Sequence, residues 1–173
     1  NSIPMVFEKE DDIMKYRTIF RLYVKTGMRR NELLDLNVDD IDIVKGKIIV
    51  RKTKNRDVKV IEMDNDIKKM LSEYLNHFKY ESGDLFRDRR RGKKIYRETL
   101  SYVFKKIKAK ANLPREFKVH SFRRYFINTL RRNGVDLVII QRLAGHRKIG
   151  TTEGYCNIAK EEKIKAIETI KVK

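Results

Sequence analysis

The sequence predicts a mainly α-helical protein with a small antiparallel β-sheet, an α+β fold. Two observations predict this class. Most apolar residues recur at helical spacing in segments that end at or near glycine, and β-branched residues gather in two short runs around one charged turn. At 173 residues the chain has the length of one domain, or of one domain with a small appendage.

The first half of the chain is predicted to form three helices and one hairpin. The helices are expected over 11–25, 31–36 and 65–80, and the strands over 47–50 and 58–63. Gly27 follows the first helix at the position of a C-cap. The charged stretch 52–57 joins the two strands, which gives a hairpin with a positively charged tip. The apolar residues of the third helix fall on one face more regularly than those of any other predicted helix, which favours a packing role for that face.

The second half is predicted to be helical after a basic loop at 87–94. Helices are expected around 100–107, over 121–133, over 136–144, and from about 159 to the end. Gly134 and Gly145 stop the second and third of these helices. The basic loop and the hairpin tip are expected to clamp the backbone of a nucleic acid, although a solvated loop explains 87–94 equally well.

The charge of the chain points to a polyanionic partner. Lys and Arg number 42 against 24 Asp and Glu, which gives a net charge of +18. Such a surface repels itself unless a polyanion lies against it, and nucleic acid is the expected one. The apolar content of 40% is too high for a disordered basic tail. Neither a membrane-spanning run nor a secretory leader is visible, so a cytoplasmic location is expected.

The cysteine and histidine counts exclude two other classes of small basic protein. Cys156 is the single cysteine of the sequence, so no internal disulfide can form. Three histidines and one thiol do not provide the ligand pattern of a zinc finger. An acidic group at 39–42 allows a two-metal interpretation, but turn and capping roles explain it better.

Several short strings carry polar residues that suit reaction chemistry. They are Thr26-Gly27-Met28-Arg29-Arg30-Asn31-Glu32-Leu33, the lysines at 52 and 54, His120-Ser121-Phe122-Arg123, Gly145-His146, and Tyr155. Each has an ordinary explanation when taken alone. Arg29 and Glu32 fit a capped corner with an ion pair, His120 fits a helix cap, and Arg123 fits a surface charge. Tyr155 differs from the tyrosines in apolar helices because polar residues surround it.

In this order and at these separations, the strings resemble the catalytic domain of tyrosine recombinases, the phage integrase family, over about residues 5–160. The resemblance implies the tyrosine recombinase catalytic-domain fold. It implies that Tyr155 is the nucleophile and that Arg29 and Arg123 hold the scissile phosphate. His120 and His146 would be supporting hydrogen-bonding or acid–base groups. Lys54 would be the hairpin lysine, with Lys52 as the alternative, because glycines usually flank that lysine in the family and Thr53 and Asn55 flank it here.

The activity implied by the resemblance is site-specific recombination or integration of double-stranded DNA through a covalent 3′-phosphotyrosine. No cofactor is implied. A topoisomerase IB-like relaxation of DNA and a non-catalytic DNA-binding module of the same fold are the alternatives. The resemblance also implies a linker at 1–9 from an N-terminal DNA-binding domain, a catalytic domain at 10–158 and a helical tail at 159–173. The tail packs in cis or in trans, and the full-length protein would assemble as a tetramer on DNA.

Overall fold

The computed structural model describes residues 3, 4, 6–51, 58–88 and 91–145, and this part of the chain is mainly helical with one small sheet. Its helices are α1 Glu10–Thr26, α2 Arg30–Leu34, α3 Asn65–Phe78, α4 Arg97–Lys110, α5 Ser121–Arg132 and α6 Leu137–Ala144. Its strands are β1 Ile41–Asp42, β2 Lys47–Val50 and β3 Lys59–Glu62. The predicted fold class is therefore confirmed.

Two compact units make up the chain, Asn1–Phe126 and Ile127–Lys173. The first contains the sheet, α1 to α4 and the first turns of α5. In the described part of the second, α6 begins after Asp136, whose side chain accepts a hydrogen bond from the backbone N–H of Val138, 2.8 Å away. Gly145 ends α6 in the left-handed conformation, as the sequence predicts. The predicted helix from about 159 lies outside the described residues.

The sheet is an antiparallel meander with strand order β1-β2-β3. Val50 pairs with Lys59 and Ile48 with Ile61, so the two predicted strands pair in one register. The two-residue strand β1 is an addition to the predicted sheet, because so short a run has no alternation to detect. Just before it, Asp40 caps a short 3₁₀ turn by accepting from the backbone N–H of Asn37 at 2.9 Å, as a capping interpretation of the acidic group predicts.

The core of the first unit lies between the apolar stripes of α1, α3 and α4 and the buried face of the sheet. Ile19, Leu22 and Leu71 have no exposed surface. Beside them, aromatic rings of α1, α4, α5 and the α4–α5 loop form one cluster, with ring centroids 5.4 to 6.0 Å apart: Phe20, Tyr23, Phe104, Phe117 and Phe122. This packing holds the start of α5 against α1.

Some basic side chains of the loop at 87–94 bind partners within the first unit. The Arg87 guanidinium lies 4.2 Å from the centre of the Tyr80 ring and donates to the carbonyl of Asp84. Lys94 forms an ion pair with Asp35. A structural role therefore accounts for these two side chains. Within the described ranges, none of the helices combines the length and the apolar character that crossing a bilayer requires.

Candidate active site

The corner between α1 and α2 positions Arg29. Gly27 ends α1 with φ of 59°, a left-handed conformation that glycine adopts without cost, and the chain then turns so that Arg29 is the N-cap of α2. Glu32 lies in the first turn of α2 and binds Arg29 twice. Its Oε1 accepts from the guanidinium at 2.6 Å and its Oε2 from the Arg29 backbone N–H at 2.8 Å.

Glu32 holds Arg29 through the ion pair that the sequence predicts. The Glu32 side chain is 2% exposed, whereas that of Arg29 is 30% exposed. The buried carboxylate thus holds one side of the guanidinium, and the accessible remainder of the side chain can meet an anion from solution. The predicted ion pair between these two residues is confirmed.

Arg123 reaches the same corner from α5. Its Nη1 donates to the carbonyl of Gly27, two residues before Arg29, and the residue is only 2% exposed. A backbone carbonyl accepts a hydrogen bond but carries no net charge, so this contact by itself leaves the positive charge of the guanidinium in place. The structure therefore brings Arg29 and Arg123, 94 positions apart in the sequence, to one corner.

Gly27 cannot carry a side chain without moving a neighbour. A Cβ built at Gly27 would lie 2.3 Å from Cδ1 of Phe126, and φ is positive there. We expect Gly27→Ala to cost about 1–2 kcal/mol of stability for the left-handed backbone alone. The clash with Phe126 adds to that cost and displaces the carbonyl to which Arg123 is bonded. Urea unfolding midpoints measure the loss.

Gly134→Ala is the matched control for this substitution. Its φ is 75°, and a Cβ there meets no atom of the described residues within 4 Å. It therefore carries the backbone penalty without a clash. If Gly27→Ala and Gly134→Ala lose equal stability, the close approach of Phe126 to the corner is not energetically important.

His120 immediately precedes α5 and lies close to the arginines. Partial burial and the positive charges of Arg123, Arg124 and Arg29 lower the pKa of His120 below its ordinary value of 6.5. The imidazole is therefore uncharged at neutral pH. His120 and Arg123 both line a cleft of about 490 Å³ in the first unit, together with Arg30, Lys105 and Lys118 among others.

Lys59 also lies near Arg29 and Arg123, although it belongs to none of the sequence motifs. It lies on β3, and its charge environment includes Glu32, Arg123 and Arg29. A signal was present in the sequence, because strict alternation places Lys59 on the same strand face as the buried Ile61. A lysine on an apolar face is unusual and indicates a special environment.

The structure places three of the six predicted catalytic residues, Arg29, His120 and Arg123, in one region of the first unit. The other predicted site residues, His146, Tyr155 and Lys54 with its alternative Lys52, lie outside the described residues. Their roles stay predictions.

Comparison with known proteins supports the resemblance seen in the motifs. A model of the phage integrase family matches residues 2–162. Tyrosine recombinase XerA of Thermococcus kodakarensis is 34% identical over 158 residues, which cover 90% of this chain and 55% of that protein. Tyrosine recombinase XerA of Saccharolobus solfataricus is 30% identical over 148 residues, covering 86% of this chain and 47% of that protein. This chain thus spans about half the length of these relatives.

Solved structures agree with the sequence relatives. The XerH site-specific recombinase bound to its difH substrate in a pre-cleavage complex matches 96% of this chain and 50% of its own, with a TM-score of 0.79 and 25% identity. The Tn1549 transposon integrase in complex with transposon right end DNA shares the fold, with a TM-score of 0.81 at 18% identity over 97% of this chain and 62% of its own. The chain belongs to the phage integrase family.

Proposed function

We propose that this chain is the catalytic domain of a site-specific DNA recombinase or integrase, which cleaves and rejoins DNA strands through a covalent 3′-phosphotyrosine. The observation that carries the proposal is the shared corner, where Arg123 binds the Gly27 carbonyl two residues from Arg29. Family membership supports it, as do relatives named tyrosine recombinases and a related recombinase solved on its DNA substrate.

Arg29 and Arg123 hold the scissile phosphate in this proposal. A guanidinium stays protonated at any working pH, and its planar fork matches two phosphate oxygens. Attack at phosphorus adds negative charge to those oxygens, so two fixed cations stabilise the transition state more than the ground state. Glu32 keeps Arg29 in the orientation that this requires.

Tyr155 is the proposed nucleophile. Its phenol oxygen bonds to phosphorus, the bond between phosphorus and the 5′ oxygen breaks, and the enzyme stays on the 3′ phosphate. The phenol has an ordinary pKa near 10, so it needs a base or nearby cations to react at neutral pH. His120 is suited to accept a hydrogen bond because its imidazole is uncharged there. His146 is the second histidine proposed for this work.

Lys54, with Lys52 as the alternative, is proposed to donate a proton to the departing 5′ oxygen. The phosphotyrosine replaces one phosphoester bond by another, so the energy of the broken strand is kept. A 5′-hydroxyl of the same or another strand can then attack, release Tyr155 and restore the DNA. Rejoining needs no nucleotide cofactor in this scheme.

Double-stranded DNA is the proposed substrate and partner. The net charge of +18 provides the phosphate contacts from which such an enzyme derives most of its affinity. We also propose that the full-length protein assembles as a tetramer on DNA, because exchange between two duplexes involves four strand cleavages. A DNA substrate is consistent with the cytoplasmic location that the sequence predicts.

Covalent capture tests the proposed function. The probe is a library of nicked duplexes with varied core sequences, in which loss of the short fragment beyond the cut prevents rejoining. We expect an SDS-resistant adduct that retains a label on the 5′ end of the cleaved strand, because the protein stays on the 3′ phosphate. Adducts confined to the opposite side of the break, or no adduct on any duplex, would contradict the proposal. Relaxation of a supercoiled plasmid without strand exchange would favour a topoisomerase.

A further inference from the structure

Lys59 has a buried amine to which the described part of the chain offers no hydrogen-bond partner. Its side chain belongs to the face of β3 that carries the buried Ile61, and it pairs across the sheet with the buried Val50. The Nζ atom is buried and has no hydrogen-bond partner among the described residues. Burying an ammonium group in this way is costly, since water no longer solvates it.

The charges around Lys59 belong to the candidate phosphate site. The carboxylate of Glu32, on α2, attracts the amine, while the guanidiniums of Arg123, on α5, and Arg29, at the start of α2, repel it. Both oxygens of Glu32 already accept hydrogen bonds from Arg29. Of the three charged groups that act most strongly on the Lys59 amine, two are therefore positive and one is negative.

A buried ammonium that two guanidiniums repel is unfavourable in the free protein and favours an incoming anion. Burial, aided by Arg123 and Arg29 and opposed by Glu32, lowers the pKa of Lys59 from 10.5 to about 8. A phosphate held by the two arginines would cancel part of their repulsion and raise that pKa again. Lys59 therefore lowers the stability of the free protein and strengthens its attraction for the phosphate of DNA.

We propose that Lys59 is a positioning residue of the phosphate site, whose buried ammonium acts through Arg29 and Arg123 and is held in its protonated form by the phosphate that they bind. This role rests on the proposed function of the site. Lys59 does not touch the phosphate. It adds positive potential where negative charge develops, and it pushes both guanidiniums towards the anion.

Two consequences follow for the pH dependence. In the free protein Lys59 is charged below about pH 8, whereas in the unfolded chain it stays charged up to about 10.5. Below pH 8 the buried charge therefore lowers the free energy of unfolding by its full amount. Between pH 8 and 10.5 this loss diminishes, so the free energy of unfolding rises with pH. Above pH 8 Lys59 is uncharged in the free protein and must take up a proton when DNA binds, so the affinity for DNA falls as the pH rises.

The first experiment measures melting temperatures of the free chain. We expect Lys59→Met to raise the melting temperature at pH 7, and we expect this gain to shrink between pH 8 and 10. Lys47→Met is the matched control, because Lys47 lies on the neighbouring strand with 45% of its side chain exposed, 3.8 Å from Glu62. It should change the melting temperature little at either pH. A lower melting temperature for Lys59→Met at pH 7 would overturn the proposal.

The second experiment measures affinity for a nicked duplex between pH 7.5 and 9.5 at constant salt. The affinity of the wild type should fall with rising pH more steeply than that of Lys47→Met. The additional fall is at most about tenfold per pH unit, the limit for the uptake of one proton. Lys59→Arg should bind with only the control slope, because arginine stays charged. Lys59→Met should also lose the extra slope and should cleave about tenfold more slowly at pH 7.5, as expected for about one pKa unit of lost interaction.

The outcomes separate this role from the proposed function. If wild type forms no covalent adduct, the proposed function fails and the role of Lys59 fails with it. If wild type forms the adduct, and Lys59→Met matches it in cleavage rate and in the pH slope of binding, the role of Lys59 alone is overturned. Rescue of cleavage by Lys59→Arg in a stable protein supports the role, since a side chain needed only for packing has no requirement for charge.

Discussion

Tyr155→Phe is expected to abolish the covalent adduct completely while leaving DNA affinity nearly unchanged. Phenylalanine keeps the ring and removes the one oxygen that can bond to phosphorus, so the substitution deletes the nucleophile with the smallest change in shape. The assay is the nicked-duplex capture described above, with affinity measured in parallel on an intact duplex.

Tyr102→Phe is the matched control, because Tyr102 is exposed on α4, where the ammonium of Lys106 lies 4.8 Å from the centre of its ring. It should form adduct at the wild-type rate. An adduct that persists in Tyr155→Phe would refute Tyr155 as the nucleophile. Loss of the adduct in both variants would point to a general requirement for aromatic hydroxyls and away from a single reacting oxygen.

Arg123→Lys is expected to reduce the cleavage rate at saturating DNA on the order of 10²–10³-fold, the loss that accompanies removal of one preorganised donor from comparable sites. Arginine can bind the Gly27 carbonyl through one nitrogen and still present others to a phosphate. Lysine has a shorter side chain with a compact charge, so its ammonium cannot bind both the Gly27 carbonyl and the phosphate in this geometry. Single-turnover cleavage of the nicked duplex measures the effect.

Arg124→Lys controls for the loss of a guanidinium on the same helix. Arg124 is the next residue along α5 and is exposed, whereas Arg123 is buried. It should retain cleavage within a few-fold of wild type, because lysine keeps the positive charge of this exposed side chain. Equal losses in the two variants would mean that the effect follows bulk charge, and the special position of Arg123 would be contradicted.

Much of the helical architecture was predictable because it is encoded locally. The end of α1 follows from Gly27, which is in the left-handed conformation, and the apolar stripe of α3 predicts its buried face. Helix ends differ from the prediction by up to three residues, the most at both ends of α4, since a helix end without a side-chain cap has no strong sequence signal. Strand β1 was not predicted because two residues contain no period.

The candidate site was predictable only in part, because its members come from distant parts of the chain. The motif order predicts that Arg29, His120 and Arg123 act together, and the structure confirms that they lie in one region. It does not predict that Arg123 would be buried against the Gly27 carbonyl, since that contact depends on the packing of α5 on α1. Lys59 was missed because a single basic residue in a strand matches no motif, and its neighbours are identified only by the fold.

A structure of this chain on a nicked duplex, with vanadate in place of the scissile phosphate, tests the central claim most directly. Vanadate copies the five-coordinate geometry at phosphorus. We expect guanidinium nitrogens of both Arg29 and Arg123 within about 3.2 Å of oxygens on the same vanadium, with the phenol oxygen of Tyr155 bonded to it. Arginines 29 and 123 bound to two different phosphates, or a different side chain on the vanadium, would contradict the account.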